Sequence, residues 1–176
     1  MKNIVYFLIA SFLFFGCKTE QKPSNKSEVK KAVIASNVKI KSYNYDGLKP
    51  LLHINDDKVY VVNFWATWCA PCVKELPAFE KIKSDFATKN VEVLLVSLDF
   101  PKQVDKRLIP FIEKNEIQSK VVLLDDTNEQ RWISEIDKDW SGSLPATLIY
   151  SKNKRKFYEQ SFDYKTLENE VNTFLN

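Results

Sequence analysis

The chain has 176 residues, 44% of them hydrophobic and 28% charged, a composition that suits one globular domain and excludes disordered or fibrous classes. Its 26 basic and 23 acidic residues leave a net charge of +3, and the basic side chains are interspersed with acids along the chain. So weak and scattered a bias lacks the concentrated basic face of a nucleic-acid binder, and no nucleic-acid partner is expected.

The first feature in chain order is an apolar run at residues 4–15, preceded by Lys2 and closed by Gly16-Cys17, after which Lys18-Thr19-Glu20 begin a polar stretch. A membrane-spanning helix needs about 20 apolar residues, so the shorter run is predicted to be the apolar region of an export signal. The Gly16-Cys17 ending resembles a bacterial lipobox, with Phe14 where leucine is usual. That resemblance implies that Cys17 is acylated, becomes the first mature residue and holds the protein to a membrane. A free thiol outside the cytoplasm would otherwise invite cross-links. The alternative is an ordinary secretory signal with a leftover cysteine. The predicted organisation is a lipoprotein signal peptide at 1–16, a flexible polar tether at 17–37, and a folded domain at 38–176. Its location is then the cell envelope, facing the periplasm or extracytoplasmic space.

Residues 38–43 alternate apolar and polar side chains, as a half-buried strand does, and 47–54 suit one short helix weakened by Pro50. The run K-V-Y-V-V-N-F-W at 58–65 is predicted to be a central strand buried on both faces. At 71–86 the spacing is helical, with Leu76, Phe79, Ile82 and Phe86 on one side. A second central strand follows at 91–98, then a helix at 104–113, a short strand at 121–124 and a helix at 128–136. Two strands at 147–150 and 156–160 are joined by a polar turn, and an amphipathic helix at 164–175 closes the chain. This alternation predicts an α/β fold with a mixed central sheet flanked by helices.

The segment Trp68-Cys69-Ala70-Pro71-Cys72 follows a buried strand and opens a helix, and that context decides its chemistry. Free N–H groups and the dipole at a helix start favour an anion. Cys69 is therefore predicted to be the attacking thiolate. Cys72, one turn further in, is placed to resolve the mixed disulfide. Pro71 suits a first helical turn because its missing N–H is not needed there. Half a zinc site is the competing reading, but zinc takes three or four protein ligands. Beyond this pair the chain has no second cysteine pair and a single histidine, His53, without ligand-like spacing to the pair. No metal and no cofactor are expected. With Cys17 acylated, Cys69 and Cys72 form the single possible disulfide, and a bridge across so small a loop adds little stability through chain entropy.

The stretch Val62-Asn63-Phe64-Trp65-Ala66-Thr67-Trp68-Cys69-Ala70-Pro71-Cys72 resembles the active-site segment of the thioredoxin superfamily, and more specifically that of the tethered bacterial TlpA/ResA-type reductases. The resemblance runs over most of the chain from about residue 38. Pro77 stands where these proteins kink the active-site helix. Ser143-Leu144-Pro145-Ala146-Thr147 resembles their cis-proline loop, with Ala146 where threonine is common. The resemblance implies a thioredoxin-like fold with an inserted helix–strand element at about 104–124. It also implies a substrate site in which Trp68, Ala70 and Pro71 surround the cysteines and the backbone at Leu144 and Pro145 pairs with an extended substrate segment. Thioredoxin has a buried acid six residues before its first cysteine, where this chain has Asn63, which cannot titrate. Glu75, three residues after Cys72 and on the same helix face, is the candidate for moving protons to and from Cys72.

The leading function is reduction of protein disulfides. The resemblance implies oxidised protein substrates, apocytochrome c among them, and a membrane thiol-disulfide electron donor. One alternative is a disulfide-forming oxidant of the same fold, since potentials in this class run from about −270 to −120 mV. A copper metallochaperone is the other, but Met1 is the sole methionine, which leaves no soft third ligand beside the pair.

Overall fold

A computed structural model describes residues 38–175; the expected signal peptide at 1–16, the expected tether at 17–37 and Cys17 lie outside the described residues. Its elements are β1 (Lys41–Tyr43), α1 (Tyr45–Leu48), β2 (Val59–Trp65), α2 (Ala70–Asp85), β3 (Val91–Ser97), α3 (Ile109–Lys114), β4 (Lys120–Leu124), α4 (Glu129–Ile136), β5 (Ala146–Tyr150), β6 (Arg155–Tyr158) and α5 (Tyr164–Leu175).

The strands form one sheet in the order β1-β4-β3-β2-β5-β6. The pairs β1–β4, β4–β3 and β3–β2 are parallel, while β2–β5 and β5–β6 are antiparallel. The expected helix–strand insertion is present as α3 and β4, and β4 sits between β1 and β3. Strand periodicity sends alternate residues of β2 to opposite faces. Val59, Val61 and Trp65 join a core with Leu76, Phe79 and Ile82 of α2, Ile112 of α3, and Leu167 and Val171 of α5. Tyr60, Val62 and Phe64 join a second core with Leu48 of α1, Trp132 and Ile136 of α4, and Trp140. Every residue of β2 is buried, which is why its sequence is a continuous apolar run broken only by Asn63.

Local differences from the sequence reading have local causes. The ladder of the first strand is confined to Lys41–Tyr43, at the sheet edge. The first helix begins at Tyr45 because Asn44 caps it, accepting from the Gly47 N–H at 3.0 Å. It then tightens into a 3₁₀ turn over Lys49–Leu52, where Pro50 has no N–H to continue an α-helical ladder. The helix expected at 104–113 starts as a single π turn, Val104–Leu108, with the Ile109 N–H donating to the Val104 carbonyl, before α3 proper. Pro110, lacking an N–H, leaves the Lys106 carbonyl without its usual partner at that junction. α2 runs through Pro77.

Candidate active site

The end of β2 fixes where the chain leaves the sheet. Leu98 N–H donates to the Trp65 carbonyl at 2.8 Å, and Cys69 N–H closes a turn onto Ala66 at 3.1 Å. Cys69 is the N-cap of α2, with extended backbone, and its sulfur accepts from the Cys72 N–H at 3.3 Å. One of the unpaired donors at the helix start is thus aimed at the Cys69 sulfur. A disulfide joins Cys69 and Cys72, whose Cα atoms are 5.3 Å apart. Cys69 keeps 7% of its surface exposed and Cys72 none, so Cys69 is the more accessible of the two sulfurs. Trp68, Ala70 and Pro71 stand exposed around it.

The loop before Cys69 is held from β3. Asp99, buried just past the end of that strand, accepts from the Thr67 N–H at 3.1 and 3.2 Å, from the Thr67 hydroxyl at 2.5 Å and from the Ser97 hydroxyl at 2.8 Å. Sequence reasoning missed this residue. The available signal was an acid placed directly after the apolar run of a central strand, where an unpaired charge is costly.

Glu75 is 4% exposed and shares the buried face of α2 with Cys72, as expected. One carboxylate oxygen accepts from Asn63 Nδ2 at 2.8 Å and the other from the Phe162 N–H at 2.8 Å. Burial pushes its carboxyl up to about 7, and the hydrogen bonds from Phe162 and Asn63 pull the other way without cancelling it. Asn63, singled out for what it cannot do, is the direct donor that orients Glu75, and it also reaches Thr147 Oγ1 at 3.2 Å across the β2–β5 ladder. Glu75 lines a cleft of about 590 Å³ together with Pro71, Lys74, Phe162 and Tyr164.

The third component is the proline loop. The Leu144–Pro145 peptide is cis, as the resemblance implied. Ala146 opposes Phe64, so continuing the register sets Pro145 beside Trp65, at the end of the sheet where the cysteine loop begins. Pro145 is buried and Leu144 half-buried. Trp140 packs on Phe64 with ring centroids 5.1 Å apart and donates from Nε1 to the Ser143 carbonyl at 3.0 Å. Glu159 accepts from the N–H groups of Ser141 and Ser143 at 3.0 and 3.1 Å. Gly142 between them has φ of 90°, a conformation that favours glycine.

Comparisons with known proteins bear on the family and the fold. The model of the AhpC/TSA family matches residues 32–155. The chain is similar to thioredoxin-like protein YneN of Bacillus subtilis, 31% identical over 44% of this chain and 45% of that protein. It is similar to thiol-disulfide oxidoreductase ResA of Geobacillus thermodenitrificans, 31% identical over 52% of this chain and 48% of that one. The chain thus spans about half the length of these curated relatives. A solved thiol:disulfide interchange protein of the thioredoxin family from Chlorobium tepidum covers 76% of this chain and 90% of its own, with a TM-score of 0.58 at 16% identity. That likeness is one of fold, and the fold is thioredoxin-like.

Proposed function

The chain belongs to the AhpC/TSA family, and from that premise we propose that it is an extracytoplasmic thiol-disulfide oxidoreductase that reduces protein disulfides through Cys69 and Cys72. The observation that carries this reading is the Cys69–Cys72 pair at the start of α2, with the Cys69 sulfur at the cap and Cys72 fully covered. In the reduced protein the Cys69 thiolate attacks a sulfur of the substrate disulfide. That bond breaks, a mixed disulfide forms, and one substrate thiolate leaves. Cys72 then gives up its proton and attacks the Cys69 sulfur, which restores the internal disulfide and releases the second substrate thiolate. The substrate gains two electrons and the protein loses two.

Glu75 takes the Cys72 proton in this scheme. A carboxyl held near 7 by burial is matched to a thiol better than an ordinary carboxylate is, because proton transfer is most effective between groups of similar affinity. Trp68, Ala70, Pro71, Leu144 and Pro145 form the surface against which the substrate lies. A membrane thiol-disulfide donor regenerates the dithiol, and the substrates are oxidised protein thiols such as those of apocytochrome c. Residues 1–16 direct export, Cys17 carries the lipid, and residues 17–37 hold the domain off the membrane.

Insulin reduction by the full chain with dithiothreitol as electron source tests the reading, together with a potential measured against glutathione. Catalysed reduction and a potential near that of thioredoxin, about −270 mV, are expected. A potential near −120 mV would instead assign the same residues to disulfide formation, and no turnover in either direction would refute a redox role.

A further inference from the structure

The insertion reaches the edge of the redox site. α3 and its π turn lie beside the loop that Asp99 holds, and Phe111 packs on Trp65, the last residue of β2, with ring centroids 5.4 Å apart. Between this element and the loop is a notch of about 270 Å³ lined by Thr67, Arg107, Pro110, Phe111 and Lys114. The lining residues of the insertion follow helical spacing, so they form one stripe with a cation at each end and an apolar middle. Asp105, Glu113 and Glu116 belong to the same segment but do not line the notch. The side chains of Arg107 and Lys114 make no hydrogen bond or ion pair with the described residues. Next in sequence to Thr67 and Asp99, Trp68 is 51% and Phe100 62% exposed, the two large apolar side chains left open among the described residues.

We propose that this notch is a second docking subsite, which takes the segment flanking the substrate disulfide when that segment carries an apolar residue beside an acidic one. The proposal deepens the redox reading and rests on it. Its occupant is an extended stretch of the substrate protein rather than a small cofactor, because the volume is below that of ordinary small-molecule pockets. Thr67 is two residues from Cys69, a separation of at most about 7 Å along the chain. A substrate cysteine joined to Cys69 therefore brings its near sequence neighbours over the notch. Two unpaired cations around an apolar floor select a carboxylate next to an apolar side chain and repel a lysine or arginine there.

The test is single-turnover oxidation of the pre-reduced full chain by excess disulfide, followed by tryptophan fluorescence. Three oxidants are used: a disulfide peptide with Leu-Glu beside one cysteine, the same peptide with Leu-Lys, and hydroxyethyl disulfide, which is small and uncharged. Two exposed ionic contacts of ordinary strength give a preference of about tenfold for the acidic peptide at low salt, shrinking as salt rises. In Arg107→Glu/Lys114→Glu the preference should reverse, whereas in Lys120→Glu/Lys152→Glu, with the same change of charge elsewhere, it should persist. Equal rates for both peptides in the unsubstituted protein, with hydroxyethyl disulfide reduced, overturn the subsite and leave the redox reading standing. So does a preference that both double variants shift alike. Failure to reduce hydroxyethyl disulfide as well overturns the redox reading itself.

Discussion

Glu75 is the residue whose surroundings say most about the chemistry. A carboxyl with a value near 7 in the folded chain is a group that the fold keeps protonated longer than water would. Folding therefore takes up a proton between the ordinary glutamate value of 4.5 and about 7. The associated stabilisation is full below the lower value and is lost as pH rises through the upper one. At about 1.4 kcal/mol per unit the window spans about 3 kcal/mol as an upper figure. Glu75→Gln removes the titration, so this variant should gain on the unsubstituted protein by about 2–3 kcal/mol between pH 5 and pH 8. Denaturant unfolding of the oxidised proteins at the two pH values measures this, and a pH-independent difference would mean that the carboxyl titrates normally. In the reduced protein, loss of the nearby carboxylate should lower the affinity of Cys72 for its proton and slow resolution. Thiol alkylation across pH, followed at each cysteine by mass spectrometry, shows the shift.

The cysteine pair and Glu75 were readable from local spacing because helix geometry turns i and i+3 into neighbours. The partners of Glu75 were not. Asn63 and Phe162 approach it from 12 and 87 residues away in sequence, and no periodic signal encodes such a meeting. Asn63 illustrates the limit well, since its lack of a titratable group was visible and its role as a donor was not.

At the scale of elements, the strands and long helices were legible because burial on two faces or one leaves a strong pattern. The π turn before α3 was not, because it arises from a single proline within a helical pattern. The join between β3 and the cysteine loop was also hidden, because the Thr67 N–H and hydroxyl reach Asp99 across 32 residues of chain, beside the neighbouring Ser97 hydroxyl. Asp99→Ala leaves the part-buried Thr67 donors and the buried Ser97 hydroxyl without their acceptor, at about 1–3 kcal/mol for a buried group left unsatisfied. The expected outcome is a destabilisation of about 1–3 kcal/mol, with slower attack by Cys69 because its loop loses its anchor. Unfolding midpoints and single-turnover rates check both parts; unchanged values for both would show that the loop is held by its backbone alone.

For the molecule as a whole, the sheet explains why one end carries the chemistry. β2, β3 and β4 are parallel, so the segments that leave their carboxyl ends share an edge: the cysteine loop, Asp99 with Phe100, and the start of the loop after β4. Open α/β sheets place their sites at such ends, and the antiparallel β5 brings the proline loop to the same place from the opposite direction. Among the described residues no helix is long and apolar enough to cross a membrane; the proposed account assigns envelope attachment to Cys17. Cys17→Ser should leave the protein unacylated and extractable without detergent. Retention in the membrane fraction after that substitution would transfer the anchor to residues 4–15.

The central claim is the division of labour between two sulfurs, one reachable and one covered. It is tested most directly by mixing Cys72→Ser and Cys69→Ser proteins, each reduced, with a disulfide substrate and identifying covalent adducts by mass spectrometry. Cys72→Ser should accumulate a stable mixed disulfide at Cys69, while Cys69→Ser should accumulate none and show no turnover. Adducts at Cys72 in the Cys69→Ser protein, formed as fast as those at Cys69, would contradict the account.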